Sequence, residues 1–263
     1  MAAAKVQRGF IPEKPPKIAG FRFSWLFEPS EYVGGDILNI IRLDEKHWAF
    51  YVLDVSGHGV PAALLSVSLS RMIDQTSISI NSMEEKSLTG SALDDLLDPK
   101  KVVRRLIRRF PGDDSKFCTL LYAILNIEDY SVTWIRAGHI PPLLVKKDGT
   151  HAEYLNDNSG VFISNIPFTE TDLQTQTVIL EPGDRFILCS DGITEAMRDD
   201  QEFGYDRLAE IMRETVSKSL NESIKTALSQ VSQWTGIPTF SDDVTLLALN
   251  DRKMELDWRK GWR

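Results

Sequence analysis

The sequence predicts an α+β domain dominated by antiparallel β-strands, and three observations support this class. Strand-like apolar patterns recur along most of the chain, whereas helical patterns are few. The helical segments are not interposed regularly between strands, as the crossovers of a parallel sheet would require. No internal repeat is visible. A single domain over residues 20–250 suits a chain of 263 residues.

The strands are predicted from runs of apolar residues that alternate with polar ones or continue without a break, bounded by turn residues. Phe21 opens the first of them, in the segment FRFSWLFEP. In chain order the predicted strands cover residues 21–29, 36–43, 47–54, 117–126, 131–139, 142–147, 151–155, 173–180, 184–191 and 244–250.

Helices are predicted at residues 60–73, 99–110, 206–216 and 222–235. The first has Pro61 near its first position and apolar residues nearly all round, so it should be largely buried. The second has an apolar face and a Lys/Arg face. We interpret the basic face as solvated rather than as a surface for an acidic partner or a membrane.

Three segments are predicted to lie outside this framework. Residues 1–19 are small, basic and proline-rich, and we interpret them as a linker or the end of an upstream helical segment. Residues 74–97 are polar and serine-rich, which favours a loop or a mobile insertion. Residues 251–263 form a charged and aromatic C-terminal tail without a predicted element.

The composition excludes several classes of protein. A net charge of −8 and a pI of about 5.1 argue against general nucleic-acid binding, which needs a basic surface. The chain has no apolar run of membrane length and no signal-peptide core at its N-terminus. Cys118 and Cys189 lie in apolar runs, so we expect buried thiols, no disulfide and a cytoplasmic protein.

Acidic residues stand where predicted strands begin or end, next to glycine or other small residues. They are Asp36, Asp54, Asp191, and the adjacent pair Asp242 and Asp243. Several carboxylates can approach one another only if cations offset their charge, and Mg²⁺ and Mn²⁺ prefer oxygen ligands. Two such cations would support hydrolysis of a phosphate ester. Each aspartate alone could equally be a turn or cap residue, and spacing alone does not prove convergence.

Other catalytic chemistry has little support in the sequence. Ser56 and His58 lie in DVSGHG, which lacks the first glycine of a nucleophile elbow. The motifs C-x-x-C and H-E-x-x-H are absent, so a zinc site has no visible ligands. We interpret His58 as a packed or capping histidine and His139 as a turn histidine.

An ordered set of motifs resembles the PPM superfamily of metal-dependent protein phosphatases, and more narrowly its bacterial SpoIIE/RsbU branch. The resemblance extends over about residues 21–250, and its order is more specific than any one motif. It implies a β-sandwich of two antiparallel sheets flanked by helices, with two divalent cations, Mn²⁺ or Mg²⁺. The motifs are EYVGGD, LDVSGHGVPAAL, FCTLLYAIL, AGHIPPLLV, PGDRFILCSDGITEA, FGYDRL and SDDVTLLAL.

The resemblance also implies a role for each acidic residue. Asp54 would bridge the two cations, and the carbonyl group of Val55 would be a further ligand. Asp191 and Asp242 would complete the coordination of one cation, with Asp243 as the alternative to Asp242. Asp36 would help to hold the other cation, directly or through water. The predicted catalytic set is therefore Asp36, Asp54, Asp191 and Asp242.

Typical substrates of this branch are phosphoserine or phosphothreonine residues of STAS-type anti-sigma-factor antagonists. The resemblance implies such a phosphoprotein partner, an upstream sensory or receiver domain, and a possible homodimer. The chain departs from the wider family because Ser56 stands where eukaryotic members have a histidine, so no general acid is assigned. No phosphate-binding arginine is evident, and residues 158–168 replace a compact glycine-rich segment, which could alter substrate docking or regulation.

The sequence therefore predicts a serine/threonine phosphatase that hydrolyses a phosphoprotein by attack of metal-activated water. A catalytically inactive, phosphatase-like binding module is a second hypothesis, against which stands the presence of every expected aspartate. A hydrolase of small phosphate esters is a third, and the depth of the pocket would separate it from the first.

Overall fold

A computed structural model describes residues 2–81, 91–112, 115–156, 161–236 and 240–251. The chain forms two compact units, each assembled from separate stretches of sequence. The first unit comprises Met1–Pro12, Glu31–Ile140 and Asp157–Ile179. The second comprises Glu13–Ser30, Pro141–Asn156 and Leu180–Arg263.

The strands of the described residues are, in chain order, β1 Phe21–Glu28, β2 Ile37–Arg42, β3 His47–Val55, β4 Cys118–Asn126, β5 Ser131–Ala137, β6 Leu143–Val145, β7 Ala152–Tyr154, β8 Thr175–Ile179, β9 Arg185–Cys189, β10 Met197–Arg198, β11 Gln201–Glu202 and β12 Val244–Asp251. The helices are α1 Ala2–Arg8, α2 Gly59–Asn81, α3 Ser91–Leu96, α4 Pro99–Arg108, α5 Asp191–Thr194, α6 Tyr205–Glu214 and α7 Leu220–Thr235, with a 3₁₀ turn at Glu170–Asp172. In this part of the chain, none of the helices has the length and apolar character needed to cross a membrane.

The first unit contains an antiparallel five-stranded sheet in the order β2-β3-β4-β5-β8. Its central strands β3 and β4 are almost wholly buried, because apolar residues occupy both of their faces. Helix α4 packs on this core through its apolar stripe of Val102, Val103, Leu106 and Ile107. Asp98 caps α4 by accepting hydrogen bonds from the backbone N–H groups of Lys100 and Lys101.

The second unit contains an antiparallel five-stranded sheet in the order β1-β12-β9-β6-β7. The buried strand β12 pairs with β1 on one side and β9 on the other. Helix α7 packs against β1 and β12, and a capping box of Ser219 and Glu222 begins it. Each unit therefore has an antiparallel sheet with helices, as the predicted α+β class requires.

The prediction of a loop over residues 74–97 is wrong where those residues are described. Helix α2 continues to Asn81 and α3 occupies Ser91–Leu96, while residues 82–90 lie outside the described residues. The buried Asp74 accepts hydrogen bonds from Asn39 and Tyr51, at 3.1 and 3.3 Å. These tertiary contacts favour continuation of a helix that the polar composition does not predict.

The prediction that α2 is largely buried holds for only part of the helix. Ala62, Leu69 and Ile73 are buried, whereas the side chains of Val60 and Leu64 in its first turns are 53% and 67% exposed.

Both ends of the chain were predicted to lie outside the folded domain. At the N-terminus, α1 is helical and its Gln7 is buried. The Gln7 amide donates to the carbonyl oxygen of Gly34 at 2.7 Å and accepts from the Gly34 N–H at 3.2 Å. Helix α1 is thereby attached to the loop that precedes Asp36. Of the predicted tail, Asp251 ends β12 and residues 252–263 lie outside the described residues.

Candidate functional site

Two of the predicted aspartates lie on neighbouring strands of the first unit. Strands β2 and β3 are antiparallel, with Ile37 opposite Leu53. Asp36 immediately precedes β2 and Asp54 is the penultimate residue of β3, so this register brings them side by side. Asp36 is buried and Asp54 is partly exposed. The first unit thus supplies two carboxylates and, from the adjacent Val55, a backbone carbonyl group.

Gly35 determines how closely the Asp36 loop approaches β3. A Cβ atom at Gly35 would lie 2.5 Å from the carbonyl oxygen of Val55 and 3.2 Å from that of Gly57. Any side chain here would displace backbone atoms, so the close approach requires glycine. The GGD motif therefore reflects contact between the Asp36 loop and the Val55 carbonyl group.

The other predicted aspartates lie in the second unit, at the ends of two paired strands. Asp191 follows β9 and begins α5, while Asp242 and Asp243 precede β12, the partner of β9. A Cβ atom at Gly192 would lie 2.1 Å from the carbonyl oxygen of Asp243. The backbone after Asp191 therefore packs directly on the segment that carries the other two carboxylates.

Burial raises the pKa of Asp191 to about 6, and the negative charges of Asp242 and Glu195 add to the effect. A carboxylate in such surroundings is costly to ionise, and a bound cation would offset that cost. Electrostatics in the second unit therefore suit a divalent cation near Asp191.

The structure separates the roles of Asp242 and Asp243. Asp243 is buried, and its Oδ1 accepts hydrogen bonds from the backbone N–H of Ser30 at 2.8 Å and from the Ser30 hydroxyl at 3.1 Å. Asp242 is exposed, and its Oδ1 accepts from the N–H of Asp243 at 2.7 Å. Both carboxylates thus accept hydrogen bonds, but Asp243 is buried against Ser30 whereas Asp242 is exposed, so Asp242 remains the predicted ligand.

Each unit places carboxylates at strand ends, and these carboxylates are the candidate cation ligands predicted from the sequence. Among the residues that the structure describes, no group of three or more His, Cys, Asp or Glu side chains is placed to hold a metal ion. The donors that do lie together are carboxylate oxygens, with the Val55 carbonyl oxygen beside Asp54. Hard cations such as Mg²⁺ and Mn²⁺ prefer these atoms, so the residues fit the predicted metals in chemical type.

The two histidines near the acidic residues differ from one another. His58 was interpreted as a packed or capping histidine; it is not packed, because its side chain is exposed and its Nδ1 lies 2.8 Å from Oε1 of Glu31, but it directly precedes α2, the position of a helix cap. His139 is buried, with its Nδ1 2.6 Å from the hydroxyl oxygen of Thr119. Thr119 stands opposite Asp54 in the β3–β4 ladder. The sequence did not indicate the contact of His139 with Thr119, the residue opposite Asp54.

Lys116 and Phe117 contact Ser56, and the sequence did not indicate that they lie near Asp54. The Lys116 ammonium group donates to the carbonyl oxygen of Ser56 at 3.2 Å, and the Phe117 N–H donates to the Ser56 hydroxyl at 3.1 Å. These contacts join residues about sixty positions apart, so no local pattern could have revealed them. The thiols of Cys118 and Cys189 are buried, as predicted.

Residues 44–251 match the family model of stage II sporulation protein E, SpoIIE. This match covers well over half of the chain. The chain belongs to the SpoIIE family. Within the PPM phosphatases it falls in the SpoIIE/RsbU branch, which confirms the resemblance stated from its motifs.

Two curated relatives match most of this SpoIIE-family chain. Protein IcfG of Synechocystis is 27% identical over 262 residues, which cover 93% of this chain and 40% of IcfG. Phosphoserine phosphatase RsbU of Bacillus subtilis is 25% identical over 248 residues, covering 94% of this chain and 68% of RsbU. The chain thus spans about two fifths of IcfG and two thirds of RsbU.

Solved structures confirm the PPM-like fold. The SiaA-PP2C domain of Pseudomonas aeruginosa has a TM-score of 0.73 and 20% identity, with 95% of this chain and 94% of that domain covered. The catalytic domain of the serine/threonine phosphatase PstP, solved in complex with two manganese ions, has a TM-score of 0.58 and 13% identity. That alignment covers 89% of this chain and 99% of the PstP catalytic domain.

Proposed function

We propose that this chain is a metal-dependent protein phosphatase that hydrolyses phosphoserine or phosphothreonine in a protein. Its membership of the SpoIIE family carries this proposal. Two acidic pairs support it, Asp36 with Asp54 in the first unit and Asp191 with Asp242 in the second. Each pair lies at strand ends, next to a glycine that cannot bear a side chain without a clash.

The proposed ligands of two divalent cations, Mn²⁺ or Mg²⁺, are Asp36, Asp54, Val55, Asp191 and Asp242. The two manganese ions in PstP support the number and kind of cations. Such cations, when bound, lower the pKa of water and offset the charge of a phosphoryl group.

The chain's own contribution is to place these carboxylates and the Val55 carbonyl group at the ends of strands β2, β3, β9 and β12. Hydrolysis joins the oxygen of water to phosphorus and breaks the bond from phosphorus to the serine or threonine oxygen, which leaves with a proton. His58 lies on the surface and pairs with Glu31, so the geometry assigns no general acid.

The finer parts of the proposal concern the setting of the domain. We propose that the substrate is a STAS-type anti-sigma-factor antagonist, that a sensory or receiver domain precedes this one, and that the domain forms a homodimer in the cytoplasm. The greater length of IcfG supports an additional domain. The boundaries 1–19, 20–250 and 251–263 remain part of this proposal.

One experiment distinguishes the proposed function from two others. A catalytically inactive binding module would bind a partner without turnover, and a hydrolase of small phosphate esters would not favour a phosphoprotein. The experiment measures hydrolysis of p-nitrophenyl phosphate and of a phosphoserine peptide, with Mn²⁺ and with EDTA. The variants are Asp54→Ala and Asp191→Ala, and the control is Asp148→Ala, which changes a carboxylate in an exposed turn.

We expect manganese-dependent turnover in the wild type and in Asp148→Ala, with a loss of at least a hundredfold in both site variants. Calorimetry should show weaker Mn²⁺ binding in the same two variants. Wild-type turnover by Asp54→Ala would refute the assignment of the site. Manganese binding without turnover on either compound would favour the binding module.

A further inference from the structure

We propose that Phe117 and Phe162, with Lys116 beside them, form a docking surface for the polypeptide that flanks the phosphorylated residue. This surface, here called the Phe pair, belongs entirely to the first unit. The inference rests on the proposed function and adds to it a reason why protein substrates are preferred to small esters.

The Phe pair adjoins the segment that carries Asp54 and Val55. Ser56 donates its backbone N–H to the carbonyl oxygen of Phe117 at 3.0 Å, and Phe117 donates its N–H to the Ser56 hydroxyl at 3.1 Å. These two hydrogen bonds hold Phe117 beside Ser56, which follows Asp54 by two residues in the sequence. A peptide side chain that contacts the Phe117 ring is therefore next to the segment that carries Asp54 and Val55.

Phe162 contributes the second ring and lies in the segment 158–168 that departs from the usual family pattern. Its ring centroid is 5.1 Å from that of Phe117, at an interplanar angle of 65°. Edge-to-face contact at this distance is favourable for aromatic rings. The two side chains are nonetheless 42% and 45% exposed, so much of each ring faces solvent.

The neighbours of Phe162 hold its ring outward. Ile163 exchanges two backbone hydrogen bonds with Cys118, at 2.8 and 3.0 Å, and both residues are fully buried. The ring of Phe162 lies on Gly138, where a Cβ atom would come within 2.4 Å of it. An exposed apolar ring that the backbone fixes in this way is ready to bind without a large ordering cost.

Lys116 adds a positive charge to this apolar surface. Its ammonium group donates a hydrogen bond to the carbonyl oxygen of Ser56 at 3.2 Å. An ammonium group has three donors, so Lys116 can also bind an anionic oxygen. The surface therefore offers an apolar contact and a cation at the edge of the proposed site, which suits a phosphorylated peptide with apolar neighbours.

The test compares two synthetic phosphoserine peptides of equal length and charge, with leucine or glutamine on either side of the phosphoserine. Calorimetry in the presence of Mn²⁺ gives the affinity of each peptide, and kcat/KM is measured for both peptides and for p-nitrophenyl phosphate. The variants are Phe162→Ala, Phe162→Leu and Lys116→Ala. The control is Ile179→Ala, which removes an apolar side chain that is 68% exposed on β8 of the same unit.

We expect the wild type and Ile179→Ala to favour the leucine peptide about tenfold, in affinity and in kcat/KM. Phe162→Ala should abolish that preference, Phe162→Leu should keep most of it, and Lys116→Ala should weaken both peptides alike. An unchanged preference in Phe162→Ala would overturn the docking surface even if the enzyme is active. A wild type that binds the leucine peptide through Phe162 without turnover would retain the surface and overturn the proposed activity. If Phe162→Ala instead altered self-association in solution and left peptide binding intact, the surface would be an interface between copies and the proposal would fail.

Discussion

Gly35→Ala tests whether the Val55 carbonyl group must stay where the structure has it. The added Cβ atom would lie 2.5 Å from that oxygen, whereas ordinary contacts begin at 3.4 Å, so the two must separate by about 0.9 Å. The same Cβ atom would lie 3.2 Å from the carbonyl oxygen of Gly57, which is a second tight contact. Insertion of a methyl group into such a contact costs about 1–3 kcal/mol. Because a displacement near 1 Å can cost about a hundredfold in a preorganised site, we expect Mn²⁺ affinity to fall about 10- to 100-fold.

Calorimetry with Mn²⁺ measures the affinity, and urea unfolding in EDTA measures the free energy of unfolding without metal. Gly236→Ala is the control, because its φ of 69° strains an alanine while, apart from its chain neighbours, no atom of the described residues lies within 4 Å of the new methyl group. The control should lose stability and keep its affinity for Mn²⁺. Wild-type affinity in Gly35→Ala would show that the Val55 carbonyl group is not a ligand, or that the loop yields without cost.

Three further predictions concern other parts of the molecule. In Gly192→Ala the new Cβ would lie 2.1 Å from the Asp243 carbonyl oxygen, so Mn²⁺ binding should weaken and the free energy of unfolding should fall by about 2 kcal/mol or more. Calorimetry measures the binding and urea unfolding the stability, and wild-type values in both would contradict the backbone contact. Burial raises the pKa of Asp74 from 3.8 to about 6, so its contribution to stability is complete below pH 4 and is lost as the pH rises through about 6. The loss is at most about 3 kcal/mol, and Asp74→Asn should remove this part of the decline when unfolding is followed from pH 4 to 8 in EDTA, whereas the part due to Asp191, whose pKa is also raised to about 6, should remain. An equal decline in the variant and in the wild type would refute the assignment. Asp98→Ala removes the cap of α4 and should cost about 1 kcal/mol in urea unfolding, and an unchanged midpoint would mean that water replaces the carboxylate at no cost.

The main strands could be predicted because each is a continuous apolar or alternating run between turn residues. β4 is a clear case, since nearly every residue of CTLLYAILN is buried. The hairpin of β10 and β11 and the single-turn helix α5 were not predicted, because two to four residues carry no periodicity. The continuation of α2 beyond Ile73 was missed for another reason: the contacts of Asp74 with Asn39 and Tyr51 join residues far apart in the chain.

For the candidate site, the sequence identified the acidic residues but not their pairing. The position of Asp36 beside Asp54 depends on the register of β2 and β3, which the alternation of side chains restricts but does not determine. The choice between Asp242 and Asp243 depends on Ser30, more than two hundred residues away. The packed alternative for His58 failed because its partner Glu31 lies 27 residues earlier in the chain and holds the imidazole at the surface, a contact that no local pattern indicates.

Gly35 and Gly192 explain why the short motifs GGD and DG help to identify the family when they occur in the right order, although neither motif is specific alone. In GGD, Gly35 brings the segment before Asp36 against the carbonyl oxygen of Val55. In DG, Gly192 brings the segment after Asp191 against the carbonyl oxygen of Asp243. Both motifs thus combine a carboxylate with a backbone that packs on another acidic segment, and a turn or cap aspartate needs no such contact. The requirement for a carboxylate and the requirement for a closely packed backbone can be tested separately. Asp→Asn removes the charge and leaves the backbone in place, whereas Gly→Ala moves the backbone and leaves the charge.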